Sequence, residues 1–125
     1  MHDSVVRRIA DRAGLSAHDA AHLTQATLEV LGDRIGGQPA HDLAQRLPTA
    51  SRQWLDEPPE TPAHDYDADD FVSRVRDIVT DVDDDDITPG IQAVMISLRE
   101  AVGAAELEIA LRPLSDDYEV LVRVG

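Results

Sequence analysis

The 125-residue sequence contains no cysteine and no lysine, and its aromatic content is 3%. Without cysteine, the chain has no disulfide, no thiolate nucleophile and no cysteine-ligated zinc or iron–sulfur site. The scarcity of aromatic residues leaves little material for the stacking platforms that bind single-stranded nucleic acid. Any core must therefore be built mainly from Val, Ile, Leu and Ala, a set of side chains that suits helix packing.

Long apolar runs and catalytic motifs are also missing. No apolar stretch approaches the roughly 20 residues of a membrane-spanning helix, and residues 1–4 lack the layout of a signal peptide. We therefore expect a soluble, cytoplasmic protein without membrane contact. Neither a Gly-x-Ser-x-Gly turn nor a phosphate-binding glycine loop is present. The sequence thus predicts a protein that is not an enzyme and that uses no cofactor.

Negative charge is concentrated in the second half of the chain. The formal net charge of the whole chain is -14. Residues 1–55 carry six arginines and six acidic residues, whereas residues 56–125 carry five arginines and nineteen acidic residues. Such a surface repels DNA, RNA and anionic lipid, because affinity for nucleic acid depends on cations that neutralise phosphates. We expect no nucleic-acid partner and an acidic face within residues 56–86.

The first half predicts three amphipathic helices. Apolar residues at helical spacing mark the first, which stops at Gly14. Ser16, with an acidic residue three positions on, is the predicted N-cap of the second helix, which extends to about Ile35. Two glycines end that helix. Pro39 then begins a two-turn segment, and residues 49–55 add a final short element.

The second half repeats the first after an acidic, proline-rich linker at residues 56–67. A shift of 66 aligns the first helices, and a shift of 67 aligns the second and third. The positions paired by the second shift include Thr24 and Ile91, Leu28 and Met95, Leu31 and Leu98, Ile35 and Val102, and Gly36 and Gly103. A constant shift with a shared glycine stop indicates duplication. The alternative is that the two halves are unrelated and align only in part, as any two amphipathic helical hairpins can.

We therefore predict an all-α, pseudo-symmetric helical bundle made of two tandem copies of a three-to-four-helix unit. The copies occupy residues 1–55 and 68–125. Neither is large enough to bury its apolar faces alone, so we expect the two to pack as one body.

A further pattern lies within residues 13–55: Ala13-Gly14-Leu15, Leu28, Leu31, Arg34-Ile35, Leu43, Leu47-Pro48 and Leu55. It resembles the uncharacterised prokaryotic family known as domain of unknown function 2267. The resemblance implies an internally repeated helical protein of bacterial source, and it implies no assigned chemistry or site. The second copy departs from the pattern, since Leu114-Ser115 replaces the Leu-Pro pair.

Two segments of the second copy conflict with the repeat. A proline inside a helix costs about 3 kcal/mol, so we predict that the long helix starts near Thr88, with Pro89 in its first turn and residues 83–86 in a loop. At the C-terminus, the alternation over residues 118–124 is typical of a strand. The repeat instead predicts a helix over residues 116–122, and we follow the repeat.

Two groups of side chains are candidate cation sites. Asp81, Asp83 and Asp85 alternate as carboxylates do at the opening of an EF-hand loop, but the sixth and twelfth positions lack the required Gly and Glu. His18 and His22 have metal-ligand spacing on a helix, and the sequence identifies no third ligand. A solvated acidic loop and two surface histidines explain the same patterns.

These observations favour a non-catalytic helical interaction or scaffold module with an acidic face. Its partner would be an unidentified protein or a second copy of the chain. The alternative is a small divalent-ion-binding or ligand-binding protein that uses the aspartate run or the histidine pair.

Overall fold

Six α-helices account for most of the residues that the computed structural model describes, which are 4–35, 37–46, 67–80, 82–111, 118 and 121. In chain order they are α1 (Ser4–Ala13), α2 (Ala17–Ile35), α3 (Gly37–Ala44), α4 (Ala68–Ile78), α5 (Asp84–Val102) and α6 (Ala104–Ala110). No strand occurs within these ranges, and the all-α prediction is confirmed. The predicted element at 49–55 and nearly all of the predicted linker lie outside the described residues.

The connection between α1 and α2 follows the signals in the sequence. Gly14 has a φ of +67°, a left-handed conformation that glycine adopts without steric cost. The Leu15 N–H then donates to the Ala10 carbonyl at 3.0 Å. The Ser16 hydroxyl oxygen accepts a hydrogen bond from the Asp19 N–H at 3.1 Å. The predicted helix stop and the predicted N-cap are both confirmed.

The short helix α3 starts slightly earlier than predicted. It begins at Gly37, two residues before Pro39. Pro39 nevertheless falls in the first turn, where a backbone N–H has no partner within the helix and its loss costs little. The preceding helix α2 ends at Ile35, as predicted.

The predicted start of α5 was wrong. The helix begins at Asp84, four residues before Thr88, and Pro89 lies inside it. Asp83 is the N-cap, with its carbonyl accepting from the Asp86 N–H at 2.9 Å. Three carboxylates in the first turn interact favourably with the helix dipole, and the earlier start buries an isoleucine completely. These gains offset the hydrogen bond that proline removes.

The two long helices, α2 and α5, form the centre of the molecule and pack against each other. Helix α1 packs against both of them, and so does α4. Helix α3 packs against α2, α6 packs against α5, and α3 and α6 pack against each other. One hydrophobic core therefore connects the first and second halves of the chain.

Large apolar side chains fill this core. The largest of the fully buried ones are Tyr118, Phe71, Ile9, Leu23, Leu28, Leu31, Leu43, Ile87, Ile91, Met95 and Leu98. Helices α2 and α5 approach closely at Gly90, where an added Cβ would overlap Leu23 Cδ2 and lie 3.3 Å from its Cγ. The packing of α2 on α5 thus depends on a residue without a side chain.

The C-terminal region is described at two positions. Tyr118 has a 3₁₀-helical backbone and Leu121 an α-helical one, and both side chains are buried. At these positions the backbone agrees with the helix that the repeat predicted, and the other residues of 116–124 lie outside the described part. Among the helices of the described ranges, none is both long and apolar enough to cross a membrane.

Candidate functional site

The end of α4 and the start of α5 place several carboxylates on one corner of the molecule. We call Asp77, Asp83, Asp84 and Asp85 the acidic corner, and each of these residues is exposed. One arginine reaches it, since Arg76 Nε lies 3.4 Å from the Asp84 Oδ1 atom. Residues 67–86 contain nine aspartates and two arginines.

An exposed apolar side chain follows Asp77 in the sequence. Ile78, the last residue of α4, is 42% exposed. Its neighbour Val79 is buried and donates its backbone N–H to the Val75 carbonyl at 3.0 Å, which ends the helix. The acidic corner therefore offers both negative charge and an apolar contact to solvent.

The described aspartates of the run lie at the start of a helix. Asp83 is an N-cap with extended backbone, and Asp84, Asp85 and Asp86 follow as helical residues. Consecutive helical residues are separated by about 100° around the axis, since a turn takes 3.6 residues, so their side chains diverge. Asp81 lies outside the described residues.

The histidine pair is placed as its spacing predicted. His18 and His22 lie one turn apart on α2, with ring centroids 6.4 Å apart and ring planes inclined by 52°. Within the described ranges, no group of three or more His, Asp or Glu side chains is arranged to hold a metal ion. The cation hypotheses therefore remain predictions.

Four polar or charged side chains are buried in the described part of the chain, and each has a structural partner. Thr24 donates to the Ala20 carbonyl at 2.6 Å, and Thr27 donates to the Leu23 carbonyl at 2.7 Å. These bonds satisfy hydroxyl groups that would otherwise be costly to bury. The other two, Arg34 and Ser97, belong to two contacts between the halves of the chain.

The first of these contacts is an aromatic cluster. The Arg34 guanidinium lies over the Tyr118 ring, 5.6 Å from its centroid. The same ring meets Phe71 edge to face, with centroids 5.7 Å apart. The Tyr118 hydroxyl donates to the Asp67 carbonyl at 3.0 Å, and Asp67 is the N-cap of α4. This cluster joins the C-terminal region to α2 and α4.

The second contact is a polar clamp between α1 and α5. Arg12 donates to the Ser97 hydroxyl at 3.1 Å and to Glu100 Oε2 at 2.6 Å. Arg8 Nη1 lies 3.6 Å from Glu100 Oε1. The hydrogen bond from Arg12 holds the pKa of Glu100 below its ordinary value, with smaller contributions from the charges of Arg12, Arg8 and Arg99. The same hydrogen bond raises the pKa of Arg12.

Sequence reasoning missed both contacts. The aromatic cluster joins residues up to 84 positions apart, and the clamp joins residues up to 92 positions apart. The sequence feature that pointed towards the aromatic cluster was an arginine at position 34, next to the apolar stripe of α2. Periodicity identifies the apolar and polar faces of each helix. It does not identify which polar residues contact each other between two packed helices.

Two surface hollows adjoin the helices. A groove of about 490 Å³ lies between α3 and α6, with Leu43 and Ala110 among its apolar lining. Arg46 and Glu106 form an ion pair across it at 3.1 Å, and Ile109 on its edge is 54% exposed. A smaller hollow of about 330 Å³ lies beside α4 and is lined in part by Leu121.

Comparison with known proteins identifies the family of the chain. A family model with the description uncharacterized conserved protein (DUF2267) matches residues 2–121. This is the family suggested by the apolar pattern in the sequence. No curated protein matches the chain.

Proposed function

The chain belongs to the DUF2267 family, whose description names no reaction, and we propose that it is a non-catalytic helical interaction module. In this proposal the module consists of two tandem copies of one helical unit, and the acidic corner of the second copy binds a protein partner with a basic surface. The partner is a different protein or a second copy of the chain.

The helix boundaries support the duplication. Helix α2 spans residues 17–35 and α5 spans residues 84–102, so a shift of 67 relates both ends. The same shift relates the first residues of α3 and α6. The starts of α2 and α5 add to this inference, since a helix start depends on capping, whereas the shift was inferred from the apolar stripe and the shared glycine stop.

The pattern of burial also supports the duplication. All nine buried residues of α5 lie at positions whose counterparts in α2, 67 residues earlier, are buried. Two positions, Gly32 and Arg34, are buried in α2 alone. An accidental register between amphipathic helices would preserve one stripe, whereas here nearly the whole buried surface corresponds.

The packing of the helices is unchanged when the two halves are exchanged. Helix α1 packs against α2 and α5, and its counterpart α4 packs against α5 and α2. Exchanging the copies turns the contact between α2 and α3 into the contact between α5 and α6. The contacts α2–α5 and α3–α6 are unchanged by the exchange, because each joins a helix to its own counterpart. A twofold relation between two copies produces this set of contacts.

The observation that carries the functional proposal is a difference between the copies. A shift of 66 pairs Ile9 with Val75, both fully buried, and pairs Arg12 with Ile78. Arg12 is bound in the clamp to α5, whereas Ile78 is exposed and lies in the sequence between Asp77 and the aspartates that start α5. Protein interfaces combine an apolar centre with a polar rim, and an exposed isoleucine in an acidic stretch of the chain offers both kinds of group. The second copy thus presents a surface where the first has an internal contact.

Affinity capture with charge-matched variants tests this proposal. The corner variant carries Asp77→Asn, Asp83→Asn and Asp85→Asn. The control variant neutralises three exposed carboxylates elsewhere, through Asp11→Asn, Glu29→Gln and Glu108→Gln. Both change the net charge equally, so non-specific electrostatic binding changes equally in both.

Quantitative mass spectrometry of captured proteins and sedimentation velocity of the purified chain provide the readouts. We expect a captured protein, or a dimer of the chain, that the control variant retains and the corner variant loses. Identical captured proteins and sedimentation for all three chains would contradict the proposal, and so would the absence of any partner and of any dimer.

A further inference from the structure

Three arginines act on one carboxylate at the clamp between α1 and α5. Arg12 donates to Glu100 Oε2 at 2.6 Å, and Arg8 Nη1 lies 3.6 Å from Glu100 Oε1. The hydrogen bond from Arg12 and, to a smaller extent, the charges of Arg8 and Arg99 lower the pKa of Glu100. We call Arg8, Arg12, Arg99 and Glu100 the basic cluster. Because one carboxylate neutralises one arginine, the charge of the other two arginines remains.

The basic cluster is accessible from solvent. The side chains of Arg8 and Arg12 are 58% and 34% exposed. The other charged residues of α1, Arg7 and Asp11, are exposed and have opposite signs, so they leave the local balance positive. The basic cluster is therefore a positive surface on a chain whose formal net charge is -14.

The contacts within the clamp indicate which chemical group this surface binds. The partner of Arg8 and Arg12 in the chain is a carboxylate. A guanidinium group presents several N–H donors in a planar fork that fits carboxylate oxygens. Residues 67–86 of the same chain contain nine aspartates and two arginines, and the acidic corner belongs to this stretch. The chain thus carries a surface whose charge complements that of the basic cluster.

The two surfaces lie at opposite ends of α5 and do not meet within one chain. Asp84 in the acidic corner and Glu100 in the basic cluster are 16 residues apart on this helix. At 1.5 Å per residue, this separation is about 24 Å along the helix axis. An ion pair requires atoms within about 4 Å of each other. A contact between the acidic corner and the basic cluster therefore requires a second molecule.

We propose that the basic cluster binds the acidic corner of a second copy of this chain. The inference rests on the proposed function, because it takes the acidic corner as the surface that binds a partner and names that partner. Each copy carries both surfaces, so it offers its acidic corner to one neighbour and its basic cluster to another. Contacts between two different surfaces of identical chains close into rings or extend into filaments.

The large net charge of the chain does not prevent this contact at physiological salt. The Debye length is then about 8 Å, so charges farther than this from the interface are largely screened. The opposite charges at the contact therefore outweigh the repulsion between the two molecules as a whole. At about 1 M salt the Debye length falls to about 3 Å, and the attraction at the contact is weakened as well.

Sedimentation velocity of the purified chain over a range of concentrations tests the proposal at about 0.15 M salt. The cluster variant carries Arg8→Gln and Arg99→Gln, which neutralise two arginines and leave the hydrogen bonds of Arg12 in place. Its matched control carries Arg7→Gln and Arg46→Gln, which neutralise two exposed arginines outside the basic cluster. The corner variant is the triple aspartate-to-asparagine chain described above.

We expect the wild-type chain and the matched control to self-associate, and the cluster and corner variants to remain monomeric at the same concentrations. The decisive sample is an equimolar mixture of these two variants. One variant keeps the acidic corner and the other keeps the basic cluster, so we expect the mixture to form a dimer through one intact contact. A rise in salt from about 0.15 M to about 1 M should reduce the association constant of the wild-type chain by about threefold or more.

Circular dichroism of each variant shows whether it is folded. If the cluster variant is unfolded, Arg99→Gln alone replaces it, because Arg99 takes no part in the hydrogen bonds of the clamp. Folded variants that stay monomeric when mixed would overturn the inference, and so would a wild-type association that salt leaves unchanged or strengthens.

The same samples distinguish this inference from the proposed function. A wild-type chain that stays monomeric overturns the inference. It leaves the proposed function intact if affinity capture still yields a protein that the corner variant loses. Self-association that the corner variant retains would contradict both.

Discussion

Leu23 and Gly90 pack against each other where α2 meets α5, and a separation of 67 residues relates them. The same separation relates both ends of the two helices. In an object with twofold symmetry, equivalent positions touch each other only at the axis. The proposed pseudo-twofold axis therefore passes between these residues, and a large side chain meets a small one there.

We expect Gly90→Ala to destabilise the chain by up to about 2 kcal/mol. Alanine is a better helix former than glycine by about 1 kcal/mol, but its Cβ would overlap Leu23, and overpacking costs about 1–3 kcal/mol. Leu23 is fully buried and cannot move aside into solvent. Urea denaturation followed by circular dichroism measures the change.

The matched control for this substitution is Gly103→Ala. Gly103 has a φ of +95° and no atom within 4 Å of an added Cβ, so its substitution introduces backbone strain without a clash. Combining each substitution with Leu23→Ala separates the two effects. Leu23→Ala should relieve Gly90→Ala and leave the effect of Gly103→Ala unchanged. Additive effects in both pairs would refute the close contact.

Much of the fold could be predicted from the sequence, because its local signals agree with one another. The glycine at position 14, the cap at Ser16 and the end at Ile35 are each set by chemistry within a few residues. The start of α5 could not be predicted in this way. There the cost of Pro89 competes with helix-dipole stabilisation and with burial of Ile87, and burial depends on tertiary packing.

The candidate site was predicted only in outline. The acidic composition of residues 67–86 is visible in the sequence, and the exposed Ile78 beside it is not. Apolar spacing does not predict whether Ile78 is buried or exposed. Its exposure depends on where α4 ends and on which side chains α5 covers. The pairing of Arg12 with Glu100 likewise depends on the packing of α1 on α5.

The clamp predicts a specific dependence of stability on pH. The pKa of Glu100 in the folded chain lies below its ordinary value of 4.5. A carboxylate of this kind stabilises the fold above its unfolded pKa, and this contribution is lost as the pH falls through the folded pKa. We expect Glu100→Gln to lower the melting temperature at pH 7. The difference from wild type should shrink at pH values below 4.5.

The control for this experiment is Glu108→Gln, on the exposed side of α6. It removes one negative charge, as Glu100→Gln does, without touching the clamp. A melting-temperature difference between wild type and Glu100→Gln that persists unchanged in acid would contradict the assigned role of the carboxylate.

The aromatic cluster predicts a graded response at Tyr118. Tyr118→Phe removes the hydrogen bond to the Asp67 carbonyl and keeps the ring, so we expect a loss of about 0.5–1.5 kcal/mol. Tyr118→Ala also removes the contacts with Phe71 and Arg34 and should cost about 3–5 kcal/mol. Urea denaturation tests this order, and equal losses for the two variants would contradict it.

The divalent-ion alternative predicts a different result. A zinc ion held by His18 and His22 would raise the melting temperature in proportion to its binding, and His18→Ala would abolish the rise. Calcium held by the aspartate run would give a rise that depends on Asp83 and Asp85. A thermal-shift titration with each cation and with EDTA distinguishes these cases. No response to any cation would exclude both.

The central claim is that two copies of one unit are related by a pseudo-twofold axis. Pulsed electron paramagnetic resonance tests it directly, because the chain has no cysteine to interfere with spin labels. One doubly labelled chain carries Arg7→Cys and Asp85→Cys, and the other carries Ser73→Cys and His18→Cys.

The copy exchange converts the first labelled pair into the second, and all four positions are exposed. The account predicts that both label pairs give the same distance, within the spread that label rotamers produce. Two clearly separated distances would contradict the pseudo-twofold relation.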